Sequence, residues 1–167
     1  MHGLALALIV IATIAAMELF AYAVHRWVMH GPGWFLHESH HHARPGWFEL
    51  NDLYAVIFAV PSITLIWLGV HGAGGDWMVA IGAGIAGYGL IYFGFHDWIV
   101  HRRLAHRIVP KSAYFKRIVQ AHRLHHVVES KHGTVSFGFL WAPPIEALTA
   151  ELRGSDHGRR REPGASR

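Results

Sequence analysis

Three long apolar runs organise the chain, at about Leu4 to Val24, Leu53 to Val70 and Trp77 to Phe95. At a rise of about 1.5 Å per residue, helices over these runs reach about 27–32 Å, which suits a bilayer core of about 30 Å. The pattern therefore predicts three transmembrane helices. Pro61 lies inside the second, where a membrane helix tolerates a kink. The first run has the length of a signal peptide but no basic segment before it, and a histidine motif follows it at once. It reads as a retained helix.

The remaining segments are polar but carry helical signals of their own. Ser112 to His126 has apolar residues at Tyr114, Phe115, Ile118, Val119 and Leu124, close to helical spacing. Lys111-Ser112 offers an N-cap. Ala142-Pro143-Pro144 marks another helix start, with Ile145 to Leu152 as the helix. Asn51-Asp52 reads as the cap of the second span. The expected fold is an all-α membrane protein with cytoplasmic helices, formed as one domain over residues 1–153. The polar, basic tail over residues 154–167 is expected to be disordered.

Charge adds a direction. The formal net charge is +4, but Lys and Arg are absent before Arg26 and between Arg44 and Arg102. Three crossings put His25–Asp52 and everything from His96 onward on one side. Every Lys and Arg falls on that side, which the positive-inside rule makes cytoplasmic. The far side keeps only Met1–Gly3 and the loop His71–Asp76. Basic segments alternating with membrane-length runs argue against nucleic acid as a partner and for a membrane-lipid environment.

Composition then names the chemistry. There are no cysteines, so disulfides, iron–sulfur clusters and thiolate-bound haem are excluded. There are 16 histidines, and they cluster. His25 and His30 are five apart, and His37, His40 and His41 form H-x-x-H-H. His96 and His101 repeat the first spacing, and His122, His125 and His126 repeat the second. His2, His42, His71, His106, His132 and His157 share no repeated spacing. His42 extends the first cluster to three consecutive histidines.

On a helix, positions i, i+3 and i+4 share a face, so each H-x-x-H-H aims three imidazoles at one locus. The five-residue pairs are less obvious. Five residues overshoot a regular turn by about 140°, so those rings would face apart. Either the helix ends between them or they address different metals, and Gly31-Pro32 favours a helix end. Ten imidazoles exceed one metal's ligand set and suit two metals with open positions. Imidazole alone is compatible with zinc, copper, iron or nickel. A pair of redox metals with open positions points to oxygen chemistry. An alternative of a different class is a non-enzymatic membrane metal-binding protein. Against it, the ten histidines gather at one interface, with none in mid-span.

Supporting residues are suggested by position. Glu18 lies in the first apolar run, where an ionisable group is costly and often functional. It could bond an imidazole or Tyr22, or form a buried interhelical contact. Asp97 and Glu129 adjoin motif histidines and could orient a ring N–H. Trp34, Phe35, Trp47, Phe48 and Trp98 suit either a substrate approach or interfacial anchoring. Gly82-x-Gly84-x-x-Gly87 matches a dinucleotide fingerprint, but it lies inside a membrane run with no strand before it. It reads as a small-residue surface for close helix packing.

The motifs carry a family resemblance. Met17-Glu18-Leu19 through Tyr22, His25-Arg26-Trp27-Val28-Met29-His30-Gly31, His37–His41 and Asn51-Asp52-Leu53-Tyr54 belong to it. So do Tyr88–Phe93 leading to His96-Asp97, Gln120–His126, Val135–Phe139 and Ala142-Pro143-Pro144. Over roughly residues 10–152 the chain resembles the bacterial β-carotene hydroxylases of the fatty acid hydroxylase and sterol desaturase superfamily. The resemblance implies 3-hydroxylation of carotenoid β-rings, turning β-carotene into zeaxanthin via β-cryptoxanthin, and canthaxanthin into astaxanthin. It implies a di-iron centre, O2 as co-substrate, and reduced ferredoxin as electron donor. It also implies His25, His30, His37, His40, His41, His96, His101, His122, His125 and His126 as ligands, with no further catalytic residue. The location would be the bacterial inner membrane, with the metals on the cytoplasmic side. Related alternatives are a fatty acid or sterol hydroxylase, or a carotenoid ketolase.

Overall fold

The computed structural model describes residues 3–42, 46–72 and 74–155, and these are helical with no strand among them. Six α-helices follow in order: α1 Gly3–Ala23, α2 Trp34–His41, α3 Asp52–Val70, α4 Asp76–Tyr92, α5 Ala113–His125 and α6 Ile145–Gly154. Two of them continue as π-helical segments, α1 into Val24–Met29 and α4 into Phe93–Val100. Three helices are long and apolar enough to cross a bilayer: Gly3–Met29, Asp52–Val70 and Asp76–Val100. The expected boundaries of the three spans hold to within a few residues, and Pro61 does not interrupt α3. The expected disordered tail falls outside the described residues, apart from Gly154 and Ser155.

The chain divides into two compact units, Met1–Ala21 with Gly46–His106, and Tyr22–Pro45 with Arg107–Arg167. In the first, glycine decides how the helices meet. A Cβ at Gly82 would lie 2.7 Å from Ile66 and 2.8 Å from the Ser62 carbonyl on α3. One at Gly84 would lie 2.5 Å from Thr13 on α1. The G-x-G-x-x-G string thus serves two helix contacts, as expected of small residues in a membrane bundle. Ser62 adds a hydrogen bond from its hydroxyl to the Gly82 carbonyl at 2.7 Å. Glu18 accepts from the Tyr88 hydroxyl at 2.8 Å, so it makes the interhelical contact between α1 and α4. Leu8, Ile11, Leu19, Val56, Val60, Ile63 and Trp67 point outward. Apolar faces of this extent are what a lipid environment covers.

The expected cap at Asn51-Asp52 is not formed as such. Asn51 is helical and its side chain caps nothing, while the Asp52 carboxylate accepts from the Glu49 N–H at 3.0 Å. Arg103 engages Asp52 as well, and this ion pair draws the carboxylate away from the α3 amides.

In the second unit, Ser112 caps α5 as expected, its Oγ accepting from the Phe115 N–H at 3.2 Å. The buried face of α5 is Ile118, Val119, Ala121, His122 and His125, while Tyr114 and Phe115 are exposed. The helix therefore turns histidines inward along with its apolar residues. Helix α6 packs against it and buries Leu148 and Leu152.

Candidate metal centre

The five-residue histidine pairs are resolved by the π-helical segments. The His30 N–H donates to the His25 carbonyl at 3.0 Å, and the His101 N–H to the His96 carbonyl at 2.9 Å. A turn closed from i to i+5 brings residues five apart back to the same side. The helix does end between the two histidines of each pair, at Met29 and at Val100, as Gly31-Pro32 led one to expect for the first. It ends through a turn widened by one residue, so both rings of each pair face together. Their centroids are 5.2 Å apart for His25–His30 and 4.5 Å for His96–His101.

In the second unit, His25, His30, His37 and His125 form a buried group whose facing ring nitrogens all lie within 4.8 Å of one another. His25 and His30 come from the π-helical turn, His37 from α2 and His125 from the end of α5. The Nε2 atoms of His25 and His37 are 3.1 Å apart, and those of His30 and His125 are 3.2 Å apart. His41 sits at the edge, with its Nε2 3.3 Å from that of His37.

The other side of these rings fixes their protonation. His25 Nδ1 faces the Phe137 carbonyl at 2.9 Å, His30 the Lys131 carbonyl at 2.9 Å, His41 the Val128 carbonyl at 2.9 Å, and His125 the Val135 carbonyl at 3.0 Å. A carbonyl only accepts, so each Nδ1 carries the proton. In a neutral imidazole Nε2 is then a bare lone pair. Between His30 and His125 two such lone pairs face each other at 3.2 Å with no proton between them and repel, and a cation placed among them removes the repulsion. The donor set therefore fits a metal, and neutral imidazole suits a borderline divalent ion such as iron or zinc.

Protonation is opposed in the same place. Burial, reinforced by the neighbouring His30, pushes His41 down to about 4. Burial and then the neighbouring imidazoles hold His125 well below the ordinary histidine value, and burial lowers His30. These rings stay neutral at physiological pH, as ligands must.

His40, His122 and His126 form a second convergence in this unit. The Nε2 atoms of His122 and His126 are 3.0 Å apart, and the His40 and His126 rings are 4.7 Å apart. In the first unit, His96 Nδ1 donates to the Asp97 carboxylate at 2.7 Å, as expected of Asp97. Tyr92 stacks on the His96 ring at 4.3 Å. Glu129 is exposed. Among the histidines outside the repeated spacings, His42, His71 and His132 are exposed and His106 bonds the Ile99 carbonyl. His2 and His157 fall outside the described residues.

Val135–Phe139 stands out in the sequence as a family match, but sequence reasoning missed the role of the segment from Val128 to Phe139: its backbone carbonyls hold four of these imidazoles in place. No side-chain pattern announces a carbonyl. It did flag Trp34, which packs 5.1 Å from His30 and 5.2 Å from His41, but not this contact. Phe139 lies flat against His25 at 5.4 Å. Two left-handed residues shape the segment, Gly133 at φ 90° and Ser136 at φ 62°. Ser136 separates the two residues whose carbonyls hold His125 and His25.

Comparison with known proteins agrees with this construction. The fatty acid hydroxylase family model matches residues 10–148. The chain is 52% identical to the β-carotene hydroxylase of Pantoea ananas over 92% of its own length and 86% of that protein's. It is 50% identical to the β-carotene hydroxylase of Paracoccus sp. (strain PC1), over 89% and 91% of the two chains. It is 40% identical to a chloroplastic β-carotene hydroxylase of Capsicum annuum, over 76% of this chain and 40% of that one. No solved structure matches. The motifs and the converging imidazoles all lie within the matched span, and the chain belongs to the fatty acid hydroxylase family.

Proposed function

We propose that this chain is a carotenoid β-ring 3-hydroxylase of the bacterial inner membrane, converting β-carotene into zeaxanthin through β-cryptoxanthin. The observation that carries the substrate is its identity of about half, across nine-tenths of the chain, to bacterial β-carotene hydroxylases. Ring-ketolated substrates are a natural extension, taking canthaxanthin to astaxanthin.

The metal centre in this reading is a di-iron site. Iron, when bound, supplies dioxygen activation and the power to hydroxylate an unactivated C–H bond. Its support is the set of neutral imidazoles with Nε2 atoms facing one another. One iron takes His25, His30, His37 and His125, with His41 at its edge. The other takes His40, His122 and His126; the family resemblance adds His96 and His101, whose repeated spacing marks them as a matching pair, to the ligand set.

The chain's own contribution is positioning and proton control. The Val128, Lys131, Val135 and Phe137 carbonyls fix the Nδ1–H tautomers, so ligand orientation is set before metal arrives. The outward apolar faces of the spans admit a polyene from the bilayer, with one ring at the interface. The reaction balances as R–H + O2 + 2 electrons + 2 protons giving R–OH + H2O. The electrons come from a reduced, acidic ferredoxin, matched by the basic residues between Arg102 and Lys131 on the cytoplasmic side.

The test is expression in β-carotene-producing cells with product analysis. Zeaxanthin and β-cryptoxanthin are expected. Their absence with iron and reductant present overturns the reading. A hydroxylated fatty acid in the same extracts would favour the acyl substrate that the matched family is described by.

A further inference from the structure

We propose that Arg103 is a positioning residue for His96: it locks the Asp97 carboxylate onto His96 Nδ1 and thereby makes His96 a stronger metal donor. The inference rests on the di-iron reading above and adds to it a residue outside the histidine motifs.

The geometry is local and built. The π-helical segment ends at Val100 with His101 as its cap, and Arg102 takes up a left-handed conformation at φ 53°. That reversal folds Arg103 back onto the turn it has just left. Its backbone N–H donates to the Asp97 carbonyl at 3.0 Å. Its guanidinium lies 3.7 Å from the Asp97 carboxylate, whose other oxygen accepts from His96 at 2.7 Å. Arg103 thus holds Asp97 at both main chain and side chain. Glu49, at 2.6 Å, and Asp52 clamp the guanidinium from the far side. Tyr92 covers the face of the His96 ring. With Nδ1 committed to Asp97, Nε2 is the ligand atom.

Charge gives the arrangement a purpose. Three carboxylates, Glu49, Asp52 and Asp97, gather round this one guanidinium in a largely buried group, where charges held close interact strongly. Without Arg103, Asp97 would be free to swing away from the imidazole.

Four other ligands, His25, His30, His41 and His125, donate Nδ1–H to neutral backbone carbonyls. A carboxylate partner makes an imidazole a stronger donor than a carbonyl does. His96 is therefore a stronger donor to its metal than these four imidazoles are to theirs.

Anaerobic titration of the full-length protein with ⁵⁷Fe(II), followed by Mössbauer spectroscopy, tests this. Wild-type protein is expected to bind two irons and show two distinct ferrous doublets. Arg103→Gln should bind one iron as wild type does and the other about 10–100-fold more weakly, with one doublet lost or shifted. The surviving doublet reports that the variant is folded. Arg103→Lys should recover part of the loss. If Arg103→Gln loses both doublets, Asp97→Asn decides: a change in one doublet alone supports the proposal and an unchanged spectrum overturns it. Arg103→Gln binding both irons at wild-type affinity with an unchanged spectrum also overturns it, leaving the di-iron reading intact. Wild-type protein that takes up no iron would sink that reading and this inference with it.

Discussion

The His30 N–H reaches the carbonyl of His25, five residues back, and this one hydrogen bond decides where both imidazoles point. An ordinary helix would bond four residues back and splay the rings. The wider turn costs some helical regularity and occurs at functional sites for that reason. The same bond recurs between His101 and His96, so both membrane-length helices that carry these histidine pairs end in the same device.

Gly31 guards the first of these turns. A Cβ there would lie 1.9 Å from the Trp27 carbonyl oxygen, inside the turn's own backbone. Gly31→Ala must push the turn open, at about 1–3 kcal/mol for forced overpacking. The expected outcome is at least ten-fold lower iron retention in purified protein, measured by elemental analysis. Retention equal to wild type would show that the turn does not set the site.

Ser136 makes a comparable point on the carbonyl side. Its φ of 62° is uncommon outside glycine and strained for a β-branched residue. Ser136→Val should cost about 1–2 kcal/mol and misalign the carbonyls that hold His125 and His25. Ser136→Gly should leave stability and metal content close to wild type. Thermal unfolding of the two variants in detergent checks the contrast, and equal midpoints would contradict it.

Acid should loosen the metal-free protein. The folded pKa of His41 is about 4, below its unfolded value near 6.5, and His30 and His125 are also lowered. The unfolded chain therefore binds more protons between those values. The stabilisation is whole above about pH 6.5 and is lost as pH falls toward 4. For His41 alone the loss by pH 5 is on the order of 2 kcal/mol. Circular dichroism melts between pH 7.5 and 5 should show a falling midpoint, and a flat profile would contradict the burial of neutral imidazoles.

The histidines are expected to separate by role. His125→Ala removes a fully buried ring and should reduce hydroxylation and iron content at least ten-fold. His42→Ala, at an exposed position beside two ligands, should leave both within about two-fold. Product formation in carotenogenic cells distinguishes them, and equal losses would mean that spacing is no guide to ligation.

Much of this was legible in sequence because it depended on side chains and periodicity. The three spans follow from apolar run length, and the H-x-x-H-H pairs from the helical repeat. The packing role of Gly82 and Gly84 follows from small residues in a membrane run. What was hidden depended on the backbone. The π-helical turns cannot be read from His-x-x-x-x-His, since the same spacing fits a helix that simply ends. The carbonyls of Val128, Lys131, Val135 and Phe137 have no residue signature. Arg103 looked like one more basic residue, because only the reversal at Arg102 brings it to Asp97. Asp52, which reads as a cap, is drawn instead to Arg103.

The central claim is that facing, unprotonated imidazole nitrogens hold a pair of irons. Elemental analysis of full-length protein purified without oxygen, combined with iron X-ray absorption, tests it most directly. The account predicts two irons per chain, each in a shell dominated by imidazole nitrogen and containing no sulfur. Protein that carries no iron after anaerobic loading, or one iron in a shell dominated by carboxylate oxygen, would contradict it.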